Sequence, residues 1–267
     1  MDLRAAERCL HDRCKTAFAA AAQAALPGRF WAFEHNGLLA SLTTSPGLSL
    51  LNSVSGLTED TVDVLPGVIA LFEAAGAPSP SLAVSEPTAA LAAELRRLGY
   101  VPAQPRPVGI LDLAIRTNSA RTRSFRLTAA GTEVEKHLFL ETLAAGYGAG
   151  SELSRFLRAE HSAAGMRCFV AWHGDRPVAA AAFSAHDNGI VLGGAATVPA
   201  ARRSGAQTAL LNHRLNQAVA GGAKAVVVTA APDSASLRNL VRAGFTMRCR
   251  PGWKKHEGGG RRPLTLA

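Results

Sequence analysis

Aromatic residues make up only 6% of this 267-residue chain, and no basic–aromatic interleaving occurs that would stack nucleic-acid bases. Nucleic acid is therefore not the expected partner. Four cysteines are too few for a disulfide framework at this length. Cys9 and Cys14 flank His11, but no second ligand pair follows at zinc-finger spacing, so no metal site is expected. No apolar run approaches the length of a membrane span, and Phe18–Leu26 is too short for one. Charges at Asp2, Arg4, Glu7, Arg8, Asp12 and Arg13 interrupt the N-terminus, so no secretion signal is expected there; the few, unclustered cysteines fit a reducing cytoplasm, and no membrane partner is expected. What is abundant is apolar side chain, 48% of residues against 18% charged. That supports packed cores, and the length suits two domains of about 130 residues each.

Charge is divided unequally. Residues 1–115 hold 8 basic and 11 acidic side chains, net −3, whereas the remainder holds 21 and 9, net +12. A positive second half implies an anionic partner: a nucleotide-like cofactor, an acidic substrate, nucleic acid or a membrane surface, among which charge alone does not choose. Part of the excess, Lys254, Lys255, Arg261 and Arg262, flanks Gly258–Gly260, so 254–267 reads as a basic flexible tail.

Along the chain, a helix over residues 3–26 precedes a hairpin of Phe30–Phe33 and Leu38–Leu42. Leu48–Val54 reads as a strand. Thr58, Glu59 and Asp60 open a helix with Val64, Val68, Leu71 and Phe72 at helical spacing, in which Pro66 marks either a kink or the true first turn. Leu82–Val84 is a strand, Thr88–Leu98 a helix, and Val108–Ile115 the closing strand of the first half. Four arginines and six Ser, Thr or Asn residues make 116–130 a linker. The second half predicts strands at Ser124–Thr128, Met166–Trp172, Val178–Ala185, Ile190–Thr197 and Ala225–Ala230. Helices are predicted at Thr132–Ala145, Glu152–Ala163 and Ser204–Ala220, with a last one capped by Asp233. Each half thus repeats hairpin, strand, helix, strand, helix, strand.

The stretch with the clearest chemistry is Thr197-Val-Pro-Ala-Ala-Arg-Arg-Ser-Gly-Ala-Gln-Thr-Ala-Leu-Leu211, a strand ending in a basic turn that enters a helix. Such a turn presents successive N–H groups at the positive end of a helix dipole, where a pyrophosphate can be held. Gly205 allows the close approach. The segment resembles the cofactor motif of the GNAT superfamily of acyl-CoA N-acyltransferases through Thr197, Pro199, Arg202, Gly205 and Gln207. Gln207 departs from the usual Gly or Ala, which implies contact through its backbone with the amide displaced outward. Ser236–Phe245 is similar to the superfamily's fourth helix and its closing Gly-Phe.

The resemblance covers residues 121–253 and implies an α/β (α+β) fold of two GNAT-like domains, each a mixed, mostly antiparallel sheet flanked by helices. Residues 1–115 would be a degenerate copy without a phosphate loop, because Glu59, Asp60 and Asp63 stand at the helix start where they would repel a pyrophosphate. It further implies acetyl-CoA as cosubstrate, bound by Ala196, Thr197, Val198, Arg202, Arg203, Ser204, Gly205, Ala206, Gln207 and Thr208. The implied reaction is N-acetyl transfer to a primary amine of a small molecule by direct attack. Backbone N–H groups of Ala195 or Ala196 would stabilise the oxyanion.

Many members use a tyrosine acid four residues before the glycine that closes the fourth helix; Leu240 stands there. Tyr147, on the loop between the first two helices of this half, and Asn239 are the remaining candidates for catalytic side chains. His213 is expected to face solvent, and His186 and Asp187 to serve a hairpin end. Alternatives are a noncatalytic acyl-CoA sensor, or a relative of tRNA-dependent aminoacyl transferases. A homodimer is compatible with the sequence.

Overall fold

The structure, a computed structural model, describes residues 1–114, 125–187 and 189–256. In the first half, α1 (Leu3–Gln23) is capped by the Asp2 side chain, which accepts from the Ala5 N–H, and buries Ala6, Cys9, Ala17 and Phe18. The hairpin forms as read, with β1 (Phe30–His35) antiparallel to β2 (Leu38–Thr43). The strand expected at Leu48–Val54 starts later. Pro46 has no N–H for a ladder, so Pro46–Leu51 coil into a 3-10 turn that drops Leu48 into the core, and β3 spans Ser53–Leu57. Glu59–Val64 are likewise a 3-10 turn, and α2 (Leu65–Ala74) begins with Pro66 in its first turn. There follow β4 (Ser81–Val84), α3 (Ala89–Arg97), β5 (Tyr100–Ala103), which the sequence reading missed, and β6 (Val108–Asp112).

Most of the linker expected at 116–130 lies outside the described residues, but Arg126–Ala129 form an edge strand, β7. Then come α4 (Glu133–Tyr147), α5 (Ser151–Ser162), β8 (Met166–His173), β9 (Arg176–His186), β10 (Gly189–Thr197), α6 (Ala206–Ala220) and β11 (Ala225–Thr229). The last elements are α7 (Ala235–Arg242), β12 (Thr246–Arg248) and β13 (Gly252–Lys255). The cap of α7 is Ser234 rather than Asp233, since Asp233 takes a left-handed φ of 56° while the Ser234 hydroxyl accepts from Leu237 N–H. β9 packs on both faces, so its buried run of alanines is needed. Ala179, Ala181 and Phe183 face the core under α6, and Ala180 and Ala182 face the one under α4 and α5.

The fold is mixed α/β, with two mostly antiparallel sheets flanked by helices. Their orders are β1-β2-β3-β4-β13-β5 and β12-β6-β11-β10-β9-β8-β7. The sheets do not follow the sequence halves. β6, expected to close the first half, lies in the second sheet between β11 and β12, and β13 lies in the first between β4 and β5. Each half therefore lends the other an antiparallel strand in the equivalent place. Lys254 and Lys255 belong to this ladder and not to a tail, opposite Val101 and Tyr100.

Each sheet contains one parallel pair, and the two pairs differ where it matters. In the first, β3 rejoins β4 beyond its bulge, pairing Leu57 with Val84. In the second, β10 and β11 pair only at Ile190–Val226 and Val191–Val227 and then separate.

Candidate functional site

Past Val191 β10 and β11 no longer pair, and beyond the end of β10 lies a cleft of about 530 Å³ bounded by the turn before α6, the end of α4 and α7. A bulge between Gly193 and Ala196, with Gly194 at φ 53°, bends β10 away. Ala196, Thr197 and every residue from Arg202 to Thr208 line this cleft, together with Gly146 and Tyr147 at the end of α4 and Asn239 on α7. Val198, expected among them, instead donates its N–H to Val178 O and packs against the core.

The turn before α6 leaves backbone donors exposed. Pro199–Ala201 make one 3-10 turn, Arg203 takes φ 66°, and Gly205 takes φ 90° as the N-cap of α6. Among the described residues, the backbone N–H groups of Arg203, Ser204 and Gly205 donate to no hydrogen bond, and all three residues are exposed. Free amides at a helix N-terminus favour an anion. Arg202, Arg203, Arg238 and Arg242 line the cleft, and among the described residues no carboxylate does. Arg202 is braced by Gly146 O at 3.3 Å, and the Asn239 side-chain oxygen accepts from Arg242. The Gln207 amide turns toward β9, reaching Ala180 O at 3.5 Å, and is not displaced outward as the sequence suggested.

At the inner end, the Ala195 N–H donates to the Tyr147 hydroxyl at 2.9 Å. Desolvation raises the Tyr147 phenol above its ordinary pKa, so it remains a proton donor at neutral pH. Arg214 of α6 is buried beneath the same place. It donates to Ala182 O at 2.9 Å, beside the bulge, and burial pulls it down to about 10. No carboxylate pairs with it among the described residues, so its charge reaches the phenol. Ala196 is less suited to the oxyanion role expected of it. N–H groups alternate along a strand, and Val198 N–H points to β9, so that of Ala196 points there too.

Three residues near the bulge escaped the sequence reading. Arg13 of α1 bonds Glu160 of α5 at 2.7 Å, both side chains being nearly buried, and a Cβ at Gly193 would lie 2.5 Å from the Arg13 guanidinium carbon. His161, 4% exposed, pairs Nδ1 with Leu157 O while Nε2 has no partner and presses on Gly194. Desolvation lowers its pKa and keeps it neutral. His186 contacts the Ser184 hydroxyl at 2.8 Å. His213 is not turned to solvent; it meets the Phe169 ring edge-on with centroids 4.8 Å apart. Leu240 faces the core. Cys9 and Cys14 are thiols whose pKa burial pushes up to about 11 and about 12. Among the described residues no group of three or more His, Cys, Asp or Glu could hold a metal ion, and no helix is long and apolar enough to cross a membrane.

Residues 134–245 match the family model described as the acetyltransferase (GNAT) family. Among solved structures, a GCN5-related N-acetyltransferase from Kribbella flavida is 17% identical with TM-score 0.64, covering 92% of this chain and 96% of its own. One from Sphaerobacter thermophilus is 15% identical with TM-score 0.60, over 81% and 76%. A tandem GNAT protein from the clavulanic acid biosynthesis pathway is 14% identical with TM-score 0.58, over 90% and 87%. At these identities the structures speak for the fold. No curated protein matches the chain.

Proposed function

We propose, from the premise that residues 134–245 belong to the acetyltransferase (GNAT) family, that this chain transfers an acetyl group from acetyl-CoA to the primary amine of a small molecule. The observation that carries the proposal is the cleft beyond the end of β10, which ends on three free N–H groups and four arginines with no carboxylate among the described residues. A pyrophosphate fits there by charge and by donor count, with Gly205 leaving open space above the turn. In the first sheet, by contrast, β3 pairs with β4 again past the bulge.

Acetyl-CoA supplies an acyl group activated as a thioester. Attack by a neutral amine forms one C–N bond and breaks one C–S bond; the amine gives up a proton and the departing sulfur gains one. The Ala195 N–H is given to the Tyr147 hydroxyl and is not at the same time a donor to the reacting carbonyl. The Tyr147 oxygen is occupied by that N–H, which leaves its own proton free for the sulfur. The buried Arg214 charge then steadies the phenolate until water reprotonates it. A coenzyme thiol with pKa near 8.5 needs only modest help in leaving. The test is incubation of the chain with acetyl-CoA and a panel of primary amines, read by mass spectrometry: acetylated amine and free thiol in equal amounts support the reading, and thiol release with no acetylated amine refutes it.

A further inference from the structure

A second cavity, of about 310 Å³, lies between the two sheets against α1. It has room for about ten waters, or a molecule of amino-acid size. One end reaches Arg13 and its partner Glu160, and Arg13 packs on the β10 bulge at Gly193. The other reaches Arg106 and Arg250, which also line an open outer cavity of about 750 Å³ and so stand at the entrance.

The charges at the two ends differ. Glu160 is held by Arg13, and Glu7 by Arg250 at 2.9 Å and by the Ser85 hydroxyl. Arg106 has no carboxylate among the described residues; it donates to the Ser81 hydroxyl at 2.8 Å, and its backbone carbonyl accepts from Arg250. Two guanidiniums share the entrance with one carboxylate, a net positive charge that a planar anion would neutralise in bidentate fashion. Desolvation lowers the pKa of Arg106, and the Arg250 charge adds to it in the same direction. At the inner end, Glu160 offers a carboxylate to an amine. His11 in the same wall is 6% exposed with an unpartnered Nε2, and burial takes its pKa down to about 4, so it stays neutral and adds no positive charge.

We infer that this cavity takes the acceptor, and that the acceptor is an amine that also carries a carboxylate, the carboxylate held by Arg106 and Arg250 and the amine directed past Glu160 to the bulge. The inference rests on the acetyl-transfer reading and adds the substrate class to it.

The test uses the full chain with the standard amino acids, each paired with its carboxamide, and with aminoalkyl phosphonates as a third arm. Two readouts are taken: calorimetric binding without acetyl-CoA, and kcat/KM with it. Each free amino acid that reacts should exceed its carboxamide by about tenfold or more, the worth of one charge-assisted hydrogen bond. R106Q should bring the pair to comparable values in both readouts, and R106K should keep part of the difference. Equal use of acid and amide by the wild type, a preference that survives in R106Q, or tighter binding of the phosphonate would overturn the assignment. Acetyl-CoA binding measured alongside separates the two levels: if it is intact, only the substrate class falls; if it is absent, the transferase reading falls with it.

Discussion

The Ala195 N–H and the Tyr147 hydroxyl are 2.9 Å apart, and this one hydrogen bond ties the bulge of β10 to the end of α4 where the sheet opens. It makes Tyr147 an acceptor toward the backbone and leaves it a donor toward the cleft. Tyr147→Phe removes both roles. Its kcat should fall about tenfold, less than the usual hundredfold or more for loss of a general acid, because the thiolate leaves readily. Acetyl-CoA affinity should change little. Since the phenol titrates above its ordinary value, the wild type should keep its activity through pH 9. Steady-state kinetics of both proteins across pH check this, and an unchanged kcat in Tyr147→Phe would remove the tyrosine from the mechanism.

Gly146 sets how closely α4 approaches β10. A Cβ at this position would lie 2.6 Å from the Ala196 Cβ and 3.1 Å from the Thr197 nitrogen. Gly146→Ala should therefore overpack the junction at a cost of about 1–3 kcal/mol. It should also push Tyr147 away from Ala195. Thermal unfolding and kcat should decline together; a variant as stable and as active as the parent would show that the helix has slack here.

His11 should make stability fall in acid. Its native pKa, about 4, lies below the ordinary value of 6.5 because burial disfavours the cation. Below pH 6.5 the unfolded chain binds a proton that the native chain refuses, so the stabilisation present above 6.5 is lost as pH falls toward 4. The full loss is on the order of 3 kcal/mol. Urea unfolding at pH 7 and pH 4.5 should show a smaller decline in His11→Gln than in the wild type. Equal declines would place the sensitivity elsewhere.

The exchanged strand β13 makes residues beyond 134–245 part of the first core. Trp253 is 6% exposed, paired opposite Leu82 and Pro102, with the Arg96 guanidinium over its ring at 5.4 Å. Trp253→Ala should cost about 3–5 kcal/mol. A chain ended at Arg250 would leave the edges of β4 and β5 unpaired and should aggregate. Soluble, fully folded protein from that truncation would contradict the exchange.

Much of the cleft was legible because its chemistry is local. A strand, a basic turn and a glycine needing positive φ are consecutive in sequence, and Arg202, Gly205 and Gln207 lie together at one helix end. The strand exchange was not legible. Val108–Asp112 has the pattern of a buried strand whichever sheet takes it, and Gly252–Lys255 is short and basic, with a strand character conferred by β4 and β5. Arg13 left a faint signal: it lies on the face of α1 that buries Ala6, Cys9 and Ala17, where a charge demands a partner. Glu160 and His161 each follow a buried residue by four positions, Phe156 and Leu157, and so point inward although their helix reads as amphipathic and solvated. Which partner such residues find depends on packing between distant elements.

Binding of acetyl-CoA followed by isothermal titration calorimetry tests the phosphate-holding turn most directly, with Gly205→Glu as the comparison. A Cβ at Gly205 meets open space, so that variant should fold with only the strain of its left-handed φ, about 1–2 kcal/mol, while placing a carboxylate where the anion must sit. The account predicts saturable binding to the wild type and none to the variant. Equal binding to both, or none to either, would contradict it.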